Sequence, residues 1–258
     1  KGIYDVEAFQ RSLRHRVPEN ALLSHDLFEG IHGRAALVTD IVLYEDYPPT
    51  YLAYARRLHR WVRGDWQLLP WLGPRAPKEG GGTLSNRLSL IDRWRIVDNL
   101  RRSLRAPALL TFLVASWLFL PGPTWLWTLL ILALSATPVL RGALTALSRR
   151  LRERKSQGRV LSLWMEAVRW LYSLIFLPYE ALLMVDAIVT TLVRLFFSHK
   201  RLLQWTTAEH TIRIFDRQSR IRTLWHGMRR ASFLTAGLAI ALALFAPAAL
   251  WVAAPFLL

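Results

Sequence analysis

Cysteine is absent from the 258-residue sequence. Disulfide bonds and thiolate metal sites are therefore excluded, although this absence leaves the cellular compartment open. Acidic residues are scarce too: 18 Asp and Glu stand against 34 Lys and Arg, which gives a formal net charge of +16. In a soluble protein, such an excess of positive charge would favour a nucleic-acid partner.

The distribution of the charge decides between partners. Hydrophobic residues make up 53% of the chain and concentrate in charge-free blocks, and the basic residues cluster between those blocks. This pattern is typical of loops that Lys and Arg hold on the cytoplasmic side of a bilayer with anionic headgroups. Because no nucleic-acid fold motif accompanies it, we expect an integral membrane protein with the lipid bilayer, and no nucleic acid, as partner.

Residues 1–71 mix polar and apolar side chains like a soluble α/β segment. Helices are predicted near residues 6–14 and 49–69, and the β-branched run at residues 36–43 predicts one strand. Residues 72–82 are rich in Gly and Pro, which predicts a flexible connection. We therefore expect a soluble first part that ends near Trp71.

Residues 72–105 are expected to form a linker followed by an interfacial helix. Within residues 85–105, Leu88, Ile91 and Trp94 lie among several arginines, a pattern typical of an amphipathic helix at a membrane surface. A soluble helix that packs on residues 1–71 explains the pattern equally well.

Two charge-free runs follow, at residues 106–120 and 124–140, with Pro121, Gly122 and Pro123 between them. They predict a transmembrane helical hairpin over residues 106–140. Its arms, ~22 and ~26 Å long, fall slightly short of a ~30 Å hydrocarbon core.

Residues 141–231 are rich in arginine and are expected to be cytoplasmic. Within them, residues 168–197 are apolar but contain Pro178, Glu180 and Asp186. Two acids at mid-membrane would cost roughly 5–7 kcal/mol, so we favour interfacial helices broken at Pro178 over a crossing helix. Residues 232–258 are expected to enter the membrane as a truncated transmembrane segment, and we interpret the whole chain as a fragment of a longer protein.

The first motif with chemical potential is the run Ser-His-Asp-Leu-Phe-Glu-Gly at residues 24–30. Asp26 and Glu29, three residues apart, can share one face of a helix's first turn, where the helix dipole keeps an acid ionised. A positioned carboxylate can take a proton from an attacking hydroxyl. Without further context, however, a simple helix N-cap is the better explanation.

The second motif is residues 56–67, which hold four Arg and two Trp among twelve residues. Guanidinium groups bind phosphate oxygens, and indole rings stack on sugar rings, so the segment could bind a phosphate-bearing leaving group and a sugar together. A basic interfacial helix with Trp anchors is the alternative. Both can hold for one helix.

In this order, the motifs resemble the cellulose-synthase-like processive glycosyltransferases, in which an Asp base precedes a Gln-x-x-Arg-Trp motif. More closely, residues 1–6, 24–30, 59–67 and 200–208 resemble the cyclic β-1,2-glucan synthases. The Ser-His-Asp element is also similar to that of the membrane glucosyltransferases that make linear osmoregulated periplasmic glucans, which is the nearest alternative.

The resemblance implies a mainly α chain: the C-terminal part of a GT-A-type α/β glycosyltransferase domain, followed by interfacial and transmembrane helices. It implies that Asp26 is the general base that deprotonates the acceptor glucose. Arg60 would hold the UDP diphosphate, Trp61 would stack on the acceptor, and Arg63 would support the phosphate region. Arg57, also counted as substrate-binding, stands where the family's motif has Gln.

The resemblance further implies a donor-binding half that this sequence does not contain. Such enzymes bind UDP-glucose and a divalent cation, Mg or Mn, through Asp residues that include an Asp-x-Asp pair, and no such pair occurs here. We therefore expect the chain to be inactive alone. It would work with the rest of the same polypeptide at the cytoplasmic face of a bacterial inner membrane, elongating a β-1,2-glucan acceptor.

A transport or scaffold component, anchored by its Arg and Trp, is the hypothesis from another class. Glu29 and Asp65 are expected to support the site or the fold rather than to contact substrate. His25 and His59 are expected to pack helices, because neither has further ligands at metal-binding spacing. No metal site is expected in the chain itself.

Overall fold

A computed structural model describes residues 4–22, 25–44, 47–48, 50–150, 157–204 and 220–257. The mainly α prediction is confirmed, with 73% helix and 3% strand. The chain divides into two compact units. The first comprises residues 1–104 and 183–224, and the second comprises residues 105–182 and 225–258.

Two helices of the first unit begin at residues that cap their N-termini. The Asp5 carboxylate accepts a hydrogen bond from the Ala8 N–H at 2.7 Å, and the Thr50 hydroxyl accepts one from the Ala53 N–H at 3.3 Å. Both residues are therefore N-caps. The predicted helices near residues 6–14 and 49–69 are confirmed. The elements are α1 (Val6–Leu13), α2 (Asp26–Gly33), α3 (Tyr51–Gln67), a 3₁₀ turn (Leu69–Leu72), β1 (Arg75–Pro77), β2 (Thr83–Ser85) and the start of α4 (Leu90–Leu118).

The strand predicted at residues 36–43 is wrong. These residues form no regular element, and Leu37, Val38, Ile41 and Val42 are exposed. β-Branched side chains favour a strand only where a neighbouring strand supplies hydrogen bonds and a packing surface. Within the described residues, this segment has neither.

The Gly- and Pro-rich connection forms a short antiparallel hairpin instead. Strand β1 pairs with β2, and Ala76 lies opposite Leu84. Gly80, Gly81 and Gly82 all have positive φ angles in the turn, a conformation that glycine adopts at little cost. The segment predicted as a flexible connection therefore contains a regular hairpin with a glycine turn.

Helix α4 runs without interruption from Leu90 to Leu118. It joins the predicted interfacial helix to the first predicted hairpin arm. The predicted boundary at residue 105 follows a change from charged to apolar side chains. Such a change affects what surrounds a helix, but it does not interrupt the helix backbone. The helix accommodates Pro107 within this length.

The second unit has an apolar core in which Trp117 is buried and donates a hydrogen bond from its indole N–H to the Thr128 hydroxyl at 3.0 Å. This bond closes the turn at Gly122, whose φ is +92°. The core residues are Ala106, Leu113, Trp117, Leu177, Ala181, Leu242, Ala249, Ala253 and Phe256. The remaining helices are α5 (Thr124–Ser135), α6 (Thr137–Arg150), α7 (Gln157–Ile175), α8 (Leu177–Val193, continued by a π-helical turn, Arg194–Ser198), α9 (Arg220–Phe245) and α10 (Leu250–Leu257), with a 3₁₀ turn (Pro247–Ala249) between the last two.

Two stretches of the described chain, Leu177–Ser198 and Gly227–Phe245, are long and apolar enough to cross a membrane. A third candidate arises if Thr124–Ser135 and Thr137–Ala146, bent by 58°, form one span. Helix α7 ends at Ile175 and α8 starts at Leu177, so the predicted break beside Pro178 is confirmed. The interfacial position favoured for residues 168–197 stays a prediction.

Candidate functional site

Helix α3 presents an arginine and tryptophan surface while its opposite side is buried. Ala55 and Val62 are buried, Arg57 and Arg60 are half-buried, and Trp61 is 41% exposed. The guanidinium carbon of Arg57 lies 4.5 Å from the centre of the Trp61 ring. This cation–π contact covers one face of the indole and leaves the opposite face free of it.

Asp26 is the first residue of helix α2, and its side chain is exposed. The helix is held in place by Phe28, which is 1% exposed and packs edge-on against Trp71 at a centroid distance of 5.2 Å. Two residues before this anchor, the exposed Asp26 carboxylate lies at the positive end of the helix dipole.

A hydrogen-bonded cluster joins the loop before Asp26 to helix α3. The His25 Nε2–H donates to the Asp65 Oδ1 atom at 3.0 Å, and the Asn99 amide donates to the same oxygen at 2.9 Å. A Cβ atom on Gly64 would lie 3.1 Å from the His25 Cδ2 atom, so the imidazole packs directly on this glycine. The two sequence motifs are thereby brought together.

Sequence reasoning missed Asn99 and gave His25 only a packing role. One signal was available: a glycine inside a helix costs about 1 kcal/mol relative to alanine, so Gly64, three residues before the end of α3, indicates a close contact. Its partner could not be identified from the sequence.

Arg63 lies on a different face of α3 from Trp61, and Arg63 is only 6% exposed. Its two terminal nitrogens donate to the carbonyls of Gln204 at 2.8 Å and Leu202 at 3.0 Å. The Gln67 amide also donates to the Leu202 carbonyl, at 2.9 Å. Burial, reinforced by the nearby Arg194 charge, lowers the Arg63 pKa, but a guanidinium remains charged in proteins.

These contacts bind the start of the motif at residues 200–208 to α3, the helix that carries the motif at residues 56–67. Residues 205–208 of that motif lie outside the described residues.

His59 connects α3 to helix α8. Its Nε2 atom is 3.0 Å from an Asp186 carboxylate oxygen, and the neighbouring Val62 packs with Met184, Ala187 and Ile188. Burial lowers the pKa of His59, and the hydrogen bond to Asp186 opposes that shift. This bond gives Asp186, an acid within an apolar helix, a polar partner.

No cluster of three or more His, Asp or Glu side chains suited to a metal ion occurs among the described residues. The arrangement offers an exposed carboxylate beside a helix that carries cationic and aromatic groups.

No family model matches the chain. Over 213 residues, or 81% of the chain, the sequence is 43% identical to the cyclic beta-(1,2)-glucan synthase NdvB of Rhizobium meliloti (strain 1021). The chain spans 7% of the length of that relative. Identity at this level over most of the chain confirms the resemblance carried by the motifs. The chain is therefore a relative of the cyclic β-1,2-glucan synthases.

Proposed function

We propose that the chain contributes the acceptor side of the active site of a membrane-bound glucan synthase. The observation that carries this proposal is the His25–Asp65 hydrogen bond, which brings the Asp26 loop to the helix of Arg60 and Trp61. Glycosyl transfer needs a general base and the residues that bind the leaving group and the sugar in one site. The hydrogen bond between His25 and Asp65 supports this arrangement.

In the proposed reaction, the donor is UDP-glucose and the acceptor is the growing β-1,2-glucan. Asp26 takes the proton of the acceptor hydroxyl, whose oxygen forms a bond to C1 of the donor glucose. The bond between C1 and the phosphate oxygen breaks, and UDP leaves with its electron pair. Arg60 compensates the charge that develops on the diphosphate.

Trp61 is proposed to stack on the acceptor with the indole face that Arg57 leaves uncovered. Arg57 stands in the place of the family's Gln. In this proposal it holds the Trp61 indole ring in position rather than binding substrate as Gln does. Arg63 is proposed to act indirectly, because its guanidinium is buried against the Leu202 and Gln204 carbonyls.

The donor-binding half and the Mg or Mn ion are proposed to come from other parts of the same polypeptide. The site is proposed to lie on the cytoplasmic side of a bacterial inner membrane, supported by the excess of basic residues between the apolar blocks. The stretches Leu177–Ser198 and Gly227–Phe245 are long and apolar enough to anchor it there.

The base is tested by Asp26→Asn in the complete protein, with transfer of labelled glucose measured in isolated membranes. Loss of a general base should lower the rate by about 10²- to 10⁴-fold while the amount of membrane protein is unchanged. Glu7→Gln is the control, since Glu7 is an exposed acid whose ion pair, among the described residues, is with Arg11 one turn further along helix α1. Normal transfer by Asp26→Asn would refute the assignment.

Trp61→Phe separates a catalytic site from a membrane anchor. If Trp61 stacks on the acceptor, this change raises the acceptor KM because the smaller ring covers less of the sugar. If the residue only anchors a transport or scaffold component, polymer synthesis is unaltered.

A further inference from the structure

We propose that His25, Asp65 and Asn99 are positioning residues that set the orientation of Asp26. This inference rests on the proposed function of Asp26 as the base. It assigns a role to three polar side chains that the transfer step itself does not use.

Asp65 is the centre of the cluster. Its Oδ1 atom accepts hydrogen bonds from both His25 and Asn99, at 3.0 and 2.9 Å. The His25 and Asp65 side chains are 10% and 18% exposed, so water competes little for these bonds. Because a carboxylate only accepts, the bond places a proton on the Nε2 atom of His25.

His25 is fixed from three directions. Its ring is hydrogen-bonded to Asp65 and packs on Gly64, and its backbone N–H donates to the Glu29 carboxylate at 3.2 Å. Asp26 follows directly in the chain. Since the Asp26 side chain is exposed, its direction depends on its backbone rather than on enclosure by neighbours.

The buried Phe28 fixes the same short helix from the other side. Asp26 therefore lies between two immobilised residues, His25 and Phe28. A base must come within hydrogen-bond reach of the proton it removes, and a displacement of about 1 Å can lower a rate about 10²-fold. Fixing the His25 backbone thus fixes the reaction geometry.

Asn99 orders Asp65 in turn. With one donor from the Asp26 loop and one from helix α4, the carboxylate cannot rotate toward solvent without breaking both bonds. Helices α3 and α4 together thus form the rigid support of the base.

The test uses the complete protein in membranes, with kcat and both KM values measured for glucose transfer. His25→Leu and Asp65→Ala each remove the central bond, and we expect kcat to decrease about 10- to 100-fold, with the KM for UDP-glucose unchanged. His25→Gln keeps an N–H donor near the Nε2 position and should restore most of the rate. The matched control is His15→Gln, because His15 forms a 2.9 Å pair with Glu79 that is largely exposed, 72% and 55%.

A purely structural role would lower the melting temperature of the folded variants but leave kcat per folded protein at the wild-type value. That result would overturn the proposal. If His25→Leu and Asp65→Ala fail to fold, Asn99→Ala removes one donor only and should lower kcat about 3- to 10-fold; an unchanged kcat there also overturns it. If Asp26→Asn is inactive but these variants are normal, the positioning role alone fails. If Asp26→Asn is active, the proposed function fails first.

Discussion

The attachment of residues 201–204 to helix α3 allows a prediction whose size can be worked out. Arg63→Met removes two hydrogen bonds from a charged donor, those to the Leu202 and Gln204 carbonyls, while keeping an apolar stem of similar length. Hydrogen bonds to charged groups contribute about 1.5–3 kcal/mol each, so the local free energy of detaching this segment should fall by about 3–6 kcal/mol. At 1.4 kcal/mol per tenfold, the lower bound corresponds to an increase of about 10²-fold in the opening equilibrium.

Two further variants grade the effect. Arg63→Lys keeps the charge but has no planar fork, so it should hold one carbonyl and lose about half of the free energy. Gln67→Met removes one neutral bond to Leu202, worth about 1 kcal/mol, and should increase opening by about fivefold.

The assay is amide hydrogen exchange of residues 201–204 in the detergent-purified chain. The Gln204 N–H, which donates to the Arg201 carbonyl at 3.2 Å, is the direct reporter. Exchange should accelerate in the order wild type, Gln67→Met, Arg63→Lys, Arg63→Met. Equal exchange in Arg63→Met and wild type would refute the reasoning. A raised KM for UDP-glucose in the complete protein, without faster exchange, would instead return Arg63 to the phosphate role that the sequence resemblance implied.

Two other predictions concern the same helix. Gly64→Ala should lower the melting temperature despite the better helix propensity of alanine, because the new Cβ would lie 3.1 Å from a His25 ring that Asp65 holds in place. Gly30→Ala is the control: its new Cβ would meet its nearest neighbour at an ordinary 3.6 Å, so this change should raise the melting temperature. A higher melting temperature for Gly64→Ala than for Gly30→Ala would show that His25 moves freely. Burial lowers the pKa of His59, so the unfolded chain binds a proton more readily than the folded chain. The free energy of unfolding should therefore decrease as the pH falls through the ordinary histidine value of about 6.5. His59→Gln should flatten this dependence in denaturant titrations between pH 8 and 5; an unchanged slope would contradict the reasoning.

Elements with local causes were predictable. Helices α1 and α3 start at capping residues, Asp5 and Thr50, and the break beside Pro178 follows from the missing N–H of proline. The strand at residues 36–43 failed because a strand depends on a partner that no local pattern reveals.

The family resemblance implied the mainly α character. The sequence by itself determined the basic and apolar blocks, the order of the motifs and the place of Asp26 in the first turn of a helix. These properties depend on composition and on spacing within a few residues. Only the tertiary structure decided which polar groups are partners: His25 lies 40 residues from Asp65, and His59 lies 127 from Asp186. It also buried Arg63, which the motif alone would expose to substrate. Hydrogen bonds between distant residues depend on how the helices pack, and that packing is not written in any single segment.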